Sequence, residues 1–327
     1  MYTDDQGLRL IPECFRGLMN KSVSPNVRLG FIIPTMNRPE SLNRLLRSIY
    51  EQGLKPECLI IVDGSDQSIE TLLLRDESVE LIYVREFPPS LTRQRNSGIR
   101  SIPEGLTHIG FLDDDLKLLA GSLRAAVSCL EMESHHLGGI SFNIMDKLGR
   151  GRFHWLLVLM GQSSFTPGKI CRSGFATGSL GVKRDHEAQW LCGGATIWRR
   201  EILETFKFDE WFTGYALWED VDFSYRVSKS YKLMVLEDAK VLHLHQGIET
   251  PDRAAKIGDI EIVDRFYFVK KYPEFFRLSH AVWASFWMIV RNLRMAIKSK
   301  NKLFIIRSAS NIRATVRCVF FEVRRLY

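Results

Sequence analysis

Three adjacent carboxylates, Asp113 to Asp115, directly follow the apolar run of residues 109–112. Such a run indicates a buried strand, so the three acids stand at a strand end and repel one another unless a cation compensates their charge. A divalent ion is the simplest candidate, because hard cations prefer oxygen ligands. The alternative is a solvated acidic turn that caps the next helix, and these residues alone leave both open.

A second acidic group begins with Glu219 and Asp220, directly after Trp218. The spacing predicts a helix over 218–229 whose first turn is partly sheltered by aromatic side chains. A carboxylate in such a place could act as a general base. The alternative is that these acids only stabilise the positive end of the helix dipole.

His243 and His245 end a stretch that is predicted as one or two strands from residue 232. Residues two apart on a strand share a face, so both imidazoles could enter one site. Neutral imidazole is a common metal ligand, although a structural role for the pair is the alternative.

Arg93 and Arg95 lie early in a helix that is predicted from Ser90 to Ile99. Arginines in this position could bind phosphate through paired hydrogen bonds. The alternative is a solvated basic face.

Apolar runs alternate with helical patterns over the first half of the chain. Strands are predicted at residues 29–35, 58–64, 79–85, 108–115 and 139–145, and residues 146–190 show no clear period and predict a long loop. Buried strands that alternate with amphipathic helices predict an α/β fold with a mostly parallel sheet covered on both faces. Ligands bind at the carboxyl ends of such strands, where Thr35, Asp63 and Asp113 stand.

Composition bounds the class of protein. Of the 327 residues, 45% are hydrophobic and 25% charged, which excludes a mainly disordered, collagenous or coiled-coil chain. Fewer than 18 apolar residues follow one another anywhere, so we expect no transmembrane helix. The scattered cysteines and the acidic first residues predict a cytoplasmic protein with reduced thiols.

The charge is distributed unevenly. Residues 265–327 contain 14 Lys and Arg but two acidic residues, while the rest of the chain is mildly acidic. Basic tails bind phosphate on nucleic acid or on anionic lipid. The apolar segment 278–290 is too short to cross a bilayer but, with the aromatic and basic residues around it, fits a membrane interface. The alternative is a packed helical cap with a solvated basic face; we favour peripheral contact with the cytoplasmic face of a membrane.

Several segments, taken in order, resemble the motifs of family-2 glycosyltransferases of the GT-A fold. They are IIPTMNR (32–38), VDGSD (62–66), RNSGI (95–99), FLDDD (111–115), WEDVDFSYR (218–226) and HLHQG (243–247). Motifs in this order are far more specific than any one of them. The resemblance implies a Rossmann-like, mostly parallel sheet flanked by helices and followed here by a helical basic extension.

The resemblance also implies roles for individual residues. Asp220 would be the catalytic base, with Glu219 contacting the acceptor. A divalent metal, Mn²⁺ or Mg²⁺, would be held by Asp115 with Asp113, His243 and His245. The acceptor would approach Gly193, Gly194 and Trp218. The nucleotide sugar would contact Pro34, Thr35, Arg38, Asp63, Arg93, Arg95, Asp113 and Asp114.

Such an enzyme would transfer a sugar, with inversion, from a nucleoside diphosphate sugar to a hydroxyl of a glycan or lipid-linked glycan. A UDP- or dTDP-sugar is the favoured donor, and no nucleic acid partner is expected. The implied organisation is a leader (1–26), a GT-A domain (27–250) and a helical basic region that contacts membrane (251–327).

Two other classes of protein share some of these features. A nucleotidyltransferase would have a Gly-rich, Arg-containing loop after the first strand, where this chain has Pro34 to Arg38. A nucleic-acid-binding protein would explain the basic tail but not the acidic body or the ordered carboxylates. A transferase fold that has lost activity is disfavoured because Asp115, Asp220 and His243 are all present.

Overall fold

The structure, a computed structural model, describes residues 27–132, 136–145, 154–244, 250–321 and 323. The expected leader and His245 lie outside the described residues. The elements in chain order are β1 (Leu29–Thr35), α1 (Pro39–Tyr50), β2 (Cys58–Asp63), β3 (Glu80–Arg85), α2 (Leu91–Arg100), β4 (His108–Leu112), β5 (Leu116–Leu118), α3 (Ser122–Met132), β6 (Leu137–Ile144), α4 (His154–Leu159), β7 (His186–Ala188), β8 (Ala195–Arg199), α5 (Arg200–Thr205), α6 (Glu219–Val227), β9 (Lys232–His243), α7 (Pro251–Lys271), α8 (Leu278–Ser299) and α9 (Leu303–Phe320).

The strands form one sheet in the order β3-β2-β1-β4-β8-β6-β9-β5, with β7 also paired to β9. The first four are mutually parallel, β8 runs antiparallel to β4 and β6, and β6 is parallel to β9. Every residue of β1, β2 and β4 is buried, as expected for strands covered on both faces. The predicted α/β fold is therefore confirmed.

Two apolar clusters cover the two faces of the sheet. Phe31 and Ile33 of β1 belong to one cluster and Ile32 to the other, because successive side chains of a strand point to opposite faces. Helix α1 packs on the first cluster through side chains at helical spacing, namely Leu42, Leu45, Leu46 and Ile49. The sheet therefore fixes where each strand ends and which residues follow it.

A third cluster joins the C-terminal helices to the sheet domain. It contains Val221 and Tyr225 of α6 together with Phe266 and Phe268 of α7, and it continues into α8 and α9. Helices α7 and α9 cross closely at Gly258, where an added Cβ would lie 2.7 Å from the carbonyl oxygen of Arg307. Among the described residues, no helix is long and apolar enough to cross a membrane.

The segment predicted as a long loop contains two elements among its described residues, α4 and β7. They have six and three residues, which is too short for a hydrophobic period to reveal them. Residues 146–153 of that segment lie outside the described part of the chain.

Candidate active site

A cleft of about 400 Å³ opens beyond the carboxyl ends of β1 and β4. The predicted residues Pro34, Thr35, Arg38, Asp113, Asp114, Asp115 and His243 line it, together with Met36, Pro89, Ser90, Leu91, Gln94, Gly214, Tyr215, Arg253 and Lys256. The sheet therefore brings three features to one place: the end of its first strand, the turn of Asp113 to Asp115 (the aspartate turn) and one of the predicted histidines.

Asp114 is the buried member of the aspartate turn. It accepts a hydrogen bond of 2.8 Å from the Thr35 hydroxyl and one of 3.3 Å from Arg38. Burial raises the pKa of Asp114 to about 6, against the opposite effects of Thr35 and Arg38. These contacts tie the turn after β4 to the end of β1.

Asp115 meets His243 because β5 pairs with β9. Leu116 lies opposite His243 in that antiparallel ladder, and the Leu244 amide donates to the Asp115 carbonyl at 2.9 Å. The imidazole Nε2 consequently lies 3.0 Å from Asp115 Oδ1. The ladder thus joins two residues that are far apart in the chain.

The chemistry of this pair fits a divalent ion. The two atoms, 3.0 Å apart, are a carboxylate oxygen and an imidazole nitrogen, and both are donors that divalent ions such as Mn²⁺ accept in proteins. Within the described residues, no three His, Cys, Asp or Glu side chains form a metal site by themselves. Ions such as Mg²⁺ often take one or two protein ligands and complete their shell with substrate phosphate and water. Asp115 and His243 could hold an ion in that way.

Buried Arg95 links the aspartate turn to the acidic residues at the start of α6. It is 1% exposed, and its guanidinium lies 2.9 Å from Glu219 Oε1 and 3.4 Å from Asp113 Oδ1. Burial lowers the pKa of Arg95, but the neighbouring carboxylates outweigh burial and raise it, so the positive charge persists. A solvated basic face is therefore the wrong interpretation for Arg95.

Glu219 and Asp220 occupy the first turn of α6. Asp220 accepts hydrogen bonds from the amides of Gly193, at 3.0 Å, and of Val221, at 2.7 Å. Burial raises the pKa of both carboxyl groups, and the charge of Arg95 opposes this rise. A raised pKa makes an ionised carboxylate a stronger base, which suits a general base.

Gly193 and Gly194 lie directly against these acids. A Cβ on Gly194 would be 1.9 Å from Asp113 Oδ2, and one on Gly193 would be 2.7 Å from Asp220 Cβ. The Asp113 amide also donates to the Gly194 carbonyl at 2.8 Å, which extends the β4–β8 ladder by one step. The two glycines thus let carboxylates pack on the chain before β8, and their contact with an acceptor stays a prediction.

Eight of the predicted residues that the structure describes do not line the cleft. They are Arg95, Gly193, Gly194, Glu219 and Asp220, together with Asp63, Arg93 and Trp218. Asp63 is fully buried and accepts hydrogen bonds from Ser65, Tyr83 and Arg85, which outweigh the effect of burial and lower its pKa. Arg93 donates to the carbonyl of Pro88. Trp218 precedes α6 with a φ of 71° and donates to the Gly174 carbonyl at 2.7 Å.

Sequence reasoning missed one wall of the cleft. Arg253 and Lys256 of α7 line it, as does Tyr215 from the loop before α6. Arg253 and Lys256 are three residues apart, so both cations lie on one face of α7. That spacing was the available signal, but it does not reveal which surface the face meets.

Residues 31–206, more than half of the chain, match the sequence profile described as glycosyl transferase family 2. The matched segment includes the aspartate turn, Arg95 and both glycines. The chain belongs to glycosyl transferase family 2. The resemblance seen in its motifs is therefore confirmed, and the protein is a glycosyltransferase.

Solved structures share the fold of this glycosyltransferase. The mannosyltransferase PcManGT from Pyrobaculum calidifontis, in complex with GDP-Man and Mn²⁺, is 15% identical with a TM-score of 0.55, and the match covers 94% of this chain and 93% of that one. GalNAc-T7 with UDP, GalNAc and Mn²⁺ is 14% identical with a TM-score of 0.52. That match covers 72% of this chain and 48% of GalNAc-T7, so the glycosyltransferase spans about half of it. No curated protein sequence matches the chain.

Proposed function

We propose that this glycosyltransferase binds a nucleoside diphosphate sugar in the cleft and transfers the sugar, with inversion, to a hydroxyl of a glycan or lipid-linked glycan. The observation that carries the proposal is the chain of contacts from Asp113 through buried Arg95 to Glu219. It joins the cleft to the acidic pair at the start of α6, so that donor and base would adjoin. A UDP- or dTDP-sugar stays our favoured donor.

The charges of the cleft support a diphosphate ligand. Arg38, Arg253 and Lys256 line it from two sides, and cations of this kind bind phosphate oxygens through charge-assisted hydrogen bonds. Two structures of the same fold hold GDP-Man or UDP. We therefore assign the donor nucleotide to this cleft, with Pro34, Thr35 and Asp114 at its base.

Asp220 would take the proton of the acceptor hydroxyl. The acceptor oxygen attacks the anomeric carbon as the bond from that carbon to the diphosphate oxygen breaks, and the electron pair leaves with the nucleoside diphosphate. A single displacement of this kind inverts the anomeric carbon. General-base assistance contributes roughly 10²–10⁴-fold to the rate. Arg95 would hold Glu219 in place beside the base.

Asp115 and His243, supported by Asp113, would hold Mn²⁺ or Mg²⁺. When bound, the ion supplies positive charge that stabilises the departing diphosphate. The two structures of the same fold contain Mn²⁺. The guanidinium of Arg38 lies 3.7 Å from Asp115 Oδ2 and would add positive charge beside the departing diphosphate.

We propose that the transferase unit begins at residue 27 and extends beyond residue 250, because α7 supplies a wall of the cleft. The remaining helices, α8 and α9, would form the basic C-terminal region. This division keeps the predicted start of the domain and moves its end.

A thermal-shift screen tests the donor. GDP, UDP, dTDP and their sugars are added with and without Mn²⁺, and specific ligands raise the melting temperature by mass action. Arg253→Ala should weaken diphosphate binding by roughly tenfold, whereas Arg124→Ala, an exposed arginine on α3, should not. The anomeric configuration of the product, read by NMR, tests inversion. A retained configuration, or a screen in which every nucleotide leaves the melting temperature unchanged, would contradict the proposal.

A further inference from the structure

Five large apolar residues form a stripe along the outer side of α8. They are Trp283, Phe286, Val290, Leu293 and Ile297, which we call the outer stripe, and they are between 37% and 81% exposed. Their spacing alternates between three and four residues, which keeps them on one side of a helix. The stripe extends about 21 Å along the helix axis.

The inner side of α8 carries mostly small residues. Its buried positions are Ala281, Ala284, Ser285, Met288, Asn292 and Ala296. An ordinary surface helix buries its large apolar residues and exposes polar ones. In α8 the five large apolar residues of the outer stripe are exposed instead, so packing on the protein does not account for them. One side of α8 therefore packs on the protein, and the other side exposes apolar side chains.

The apolar surface continues onto a neighbouring helix. The indole of Trp283 donates to the carbonyl of Leu159 in α4 at 3.3 Å, and Leu159 is itself 68% exposed. Trp155 of the same helix is also exposed. Contiguous exposed apolar surface of this kind marks an interaction site.

Positive charge accompanies the stripe. Residues 278–320 contain eight Lys and Arg and no acidic residue. Arg294 and Lys298 line one groove of about 550 Å³ together with Val290, Leu293 and Ile297. An apolar strip edged by cations complements a surface that is apolar beneath and anionic above, which is the arrangement of a bilayer rich in acidic lipid.

We propose that the outer stripe docks this protein on an anionic membrane, with α8 lying in the plane of the bilayer. The stripe would enter the acyl boundary by about 5–10 Å, while Arg294 and Lys298 contact lipid phosphates. A second copy of the chain is the less suitable partner, because pairing two such helices would bring like charges together. The proposal concerns a surface outside the cleft and stands independently of the donor and the reaction.

Vesicle flotation of the full chain tests the proposal. The protein should float with vesicles of equal parts phosphatidylcholine and phosphatidylglycerol, and far less with phosphatidylcholine alone. The triple variant Val290→Ser, Leu293→Ser, Ile297→Ser should lose at least tenfold in partitioning, because the acyl contact is removed. The double variant Arg294→Gln, Lys298→Gln should lose roughly tenfold to thirtyfold on the anionic vesicles.

Two exposed apolar residues of the sheet domain provide the matched control. Leu72 and Met132 are 58% and 56% exposed, and Leu72→Ser with Met132→Ser should leave flotation unchanged. All substituted positions are exposed, and unchanged melting temperatures and nucleotide shifts would show that the variants remain folded. The proposal fails if the wild type stays unbound, or if the triple variant floats as well as the wild type. It also fails if ultracentrifugation shows a dimer that the triple variant dissociates, since the stripe would then bind a second copy.

Discussion

The carboxylate of Asp264 accepts a hydrogen bond of 2.9 Å from the backbone amide of Leu217. Asp264 lies on α7, and Leu217 is two residues before Glu219. Helix α7 therefore holds the backbone that leads into the acidic pair. The adjacent Arg265 also contacts this segment, since its buried guanidinium lies 5.9 Å from the centre of the Trp218 ring.

We expect Asp264→Asn to change how stability depends on pH. Burial raises the pKa of Asp264 to about 8, and the Leu217 amide opposes this only in part. The folded protein therefore binds this proton more tightly than the unfolded chain does, and the group's contribution to stability is lost as pH rises from about 4 to about 8. The melting temperature of Asp264→Asn relative to the wild type should increase by several degrees over this interval.

A matched pair of variants separates titration from the hydrogen bond. Asp238→Asn, at a side chain that is 79% exposed, is the control for the substitution itself. Asp264→Leu leaves the Leu217 amide without this acceptor and should cost about 1–3 kcal/mol of stability. A constant difference between Asp264→Asn and the wild type across the interval would contradict the assignment.

Asp220→Asn should lower transfer by roughly 10²–10⁴-fold. The amide oxygen can still accept from Gly193, although the Val221 amide loses its acceptor, so the fold and donor binding should persist while the group can no longer take a proton. Initial rates and nucleotide-induced thermal shifts measure the two effects separately. Near-normal transfer by a folded Asp220→Asn enzyme would remove Asp220 as the base.

Asp115→Ala and His243→Ala should each lower the apparent affinity of the enzyme for Mn²⁺ by at least roughly tenfold, because each removes one ligand of the proposed ion site. A titration of activity against metal concentration checks this. His186→Ala provides a histidine control outside the cleft, where the ring contacts the Ser179 hydroxyl. Unchanged metal dependence in both site variants would show that the ion binds elsewhere.

Gly194→Ala should be destabilising and should impair catalysis. Its Cβ would lie 1.9 Å from the Asp113 carboxylate, so that side chain or the strand must shift. Overpacking of this kind costs about 1–3 kcal/mol. Gly53→Ala adds the same methyl group where no other atom lies within 4 Å and should change stability by less than about 0.5 kcal/mol. Equal stability of the two variants, measured by urea denaturation, would contradict the close packing.

The sequence predicts well those parts of the site that follow long buried strands. The apolar run of β4 locates Asp113 to Asp115, and the run of β1 locates Thr35, because hydrophobic burial specifies both. The sequence predicts poorly those contacts of the site that depend on short strands. Strand β5 has three residues and no detectable period, yet its pairing with β9 is what brings His243 to Asp115.

The burial of polar residues is also difficult to predict from the sequence. Helix α2 has a polar sequence that is compatible with a solvated face, but Gln94, Arg95 and Asn96 are all buried. Gln94 donates to the carbonyls of Thr35 and Val62, at 2.9 and 2.8 Å, and thereby joins the ends of β1 and β2. Hydrophobic periodicity carries no information about such partners, because they come from distant parts of the chain.

The dependence of the Asp115–His243 pair on the β5–β9 ladder has a consequence for biosynthesis. The aspartate turn emerges from the ribosome early, whereas β9 emerges only after most of the sheet has been translated. A nascent chain that stops before β9 would carry all three aspartates and still lack the geometry of the pair. Divalent ions would then associate with the finished protein rather than guide its assembly.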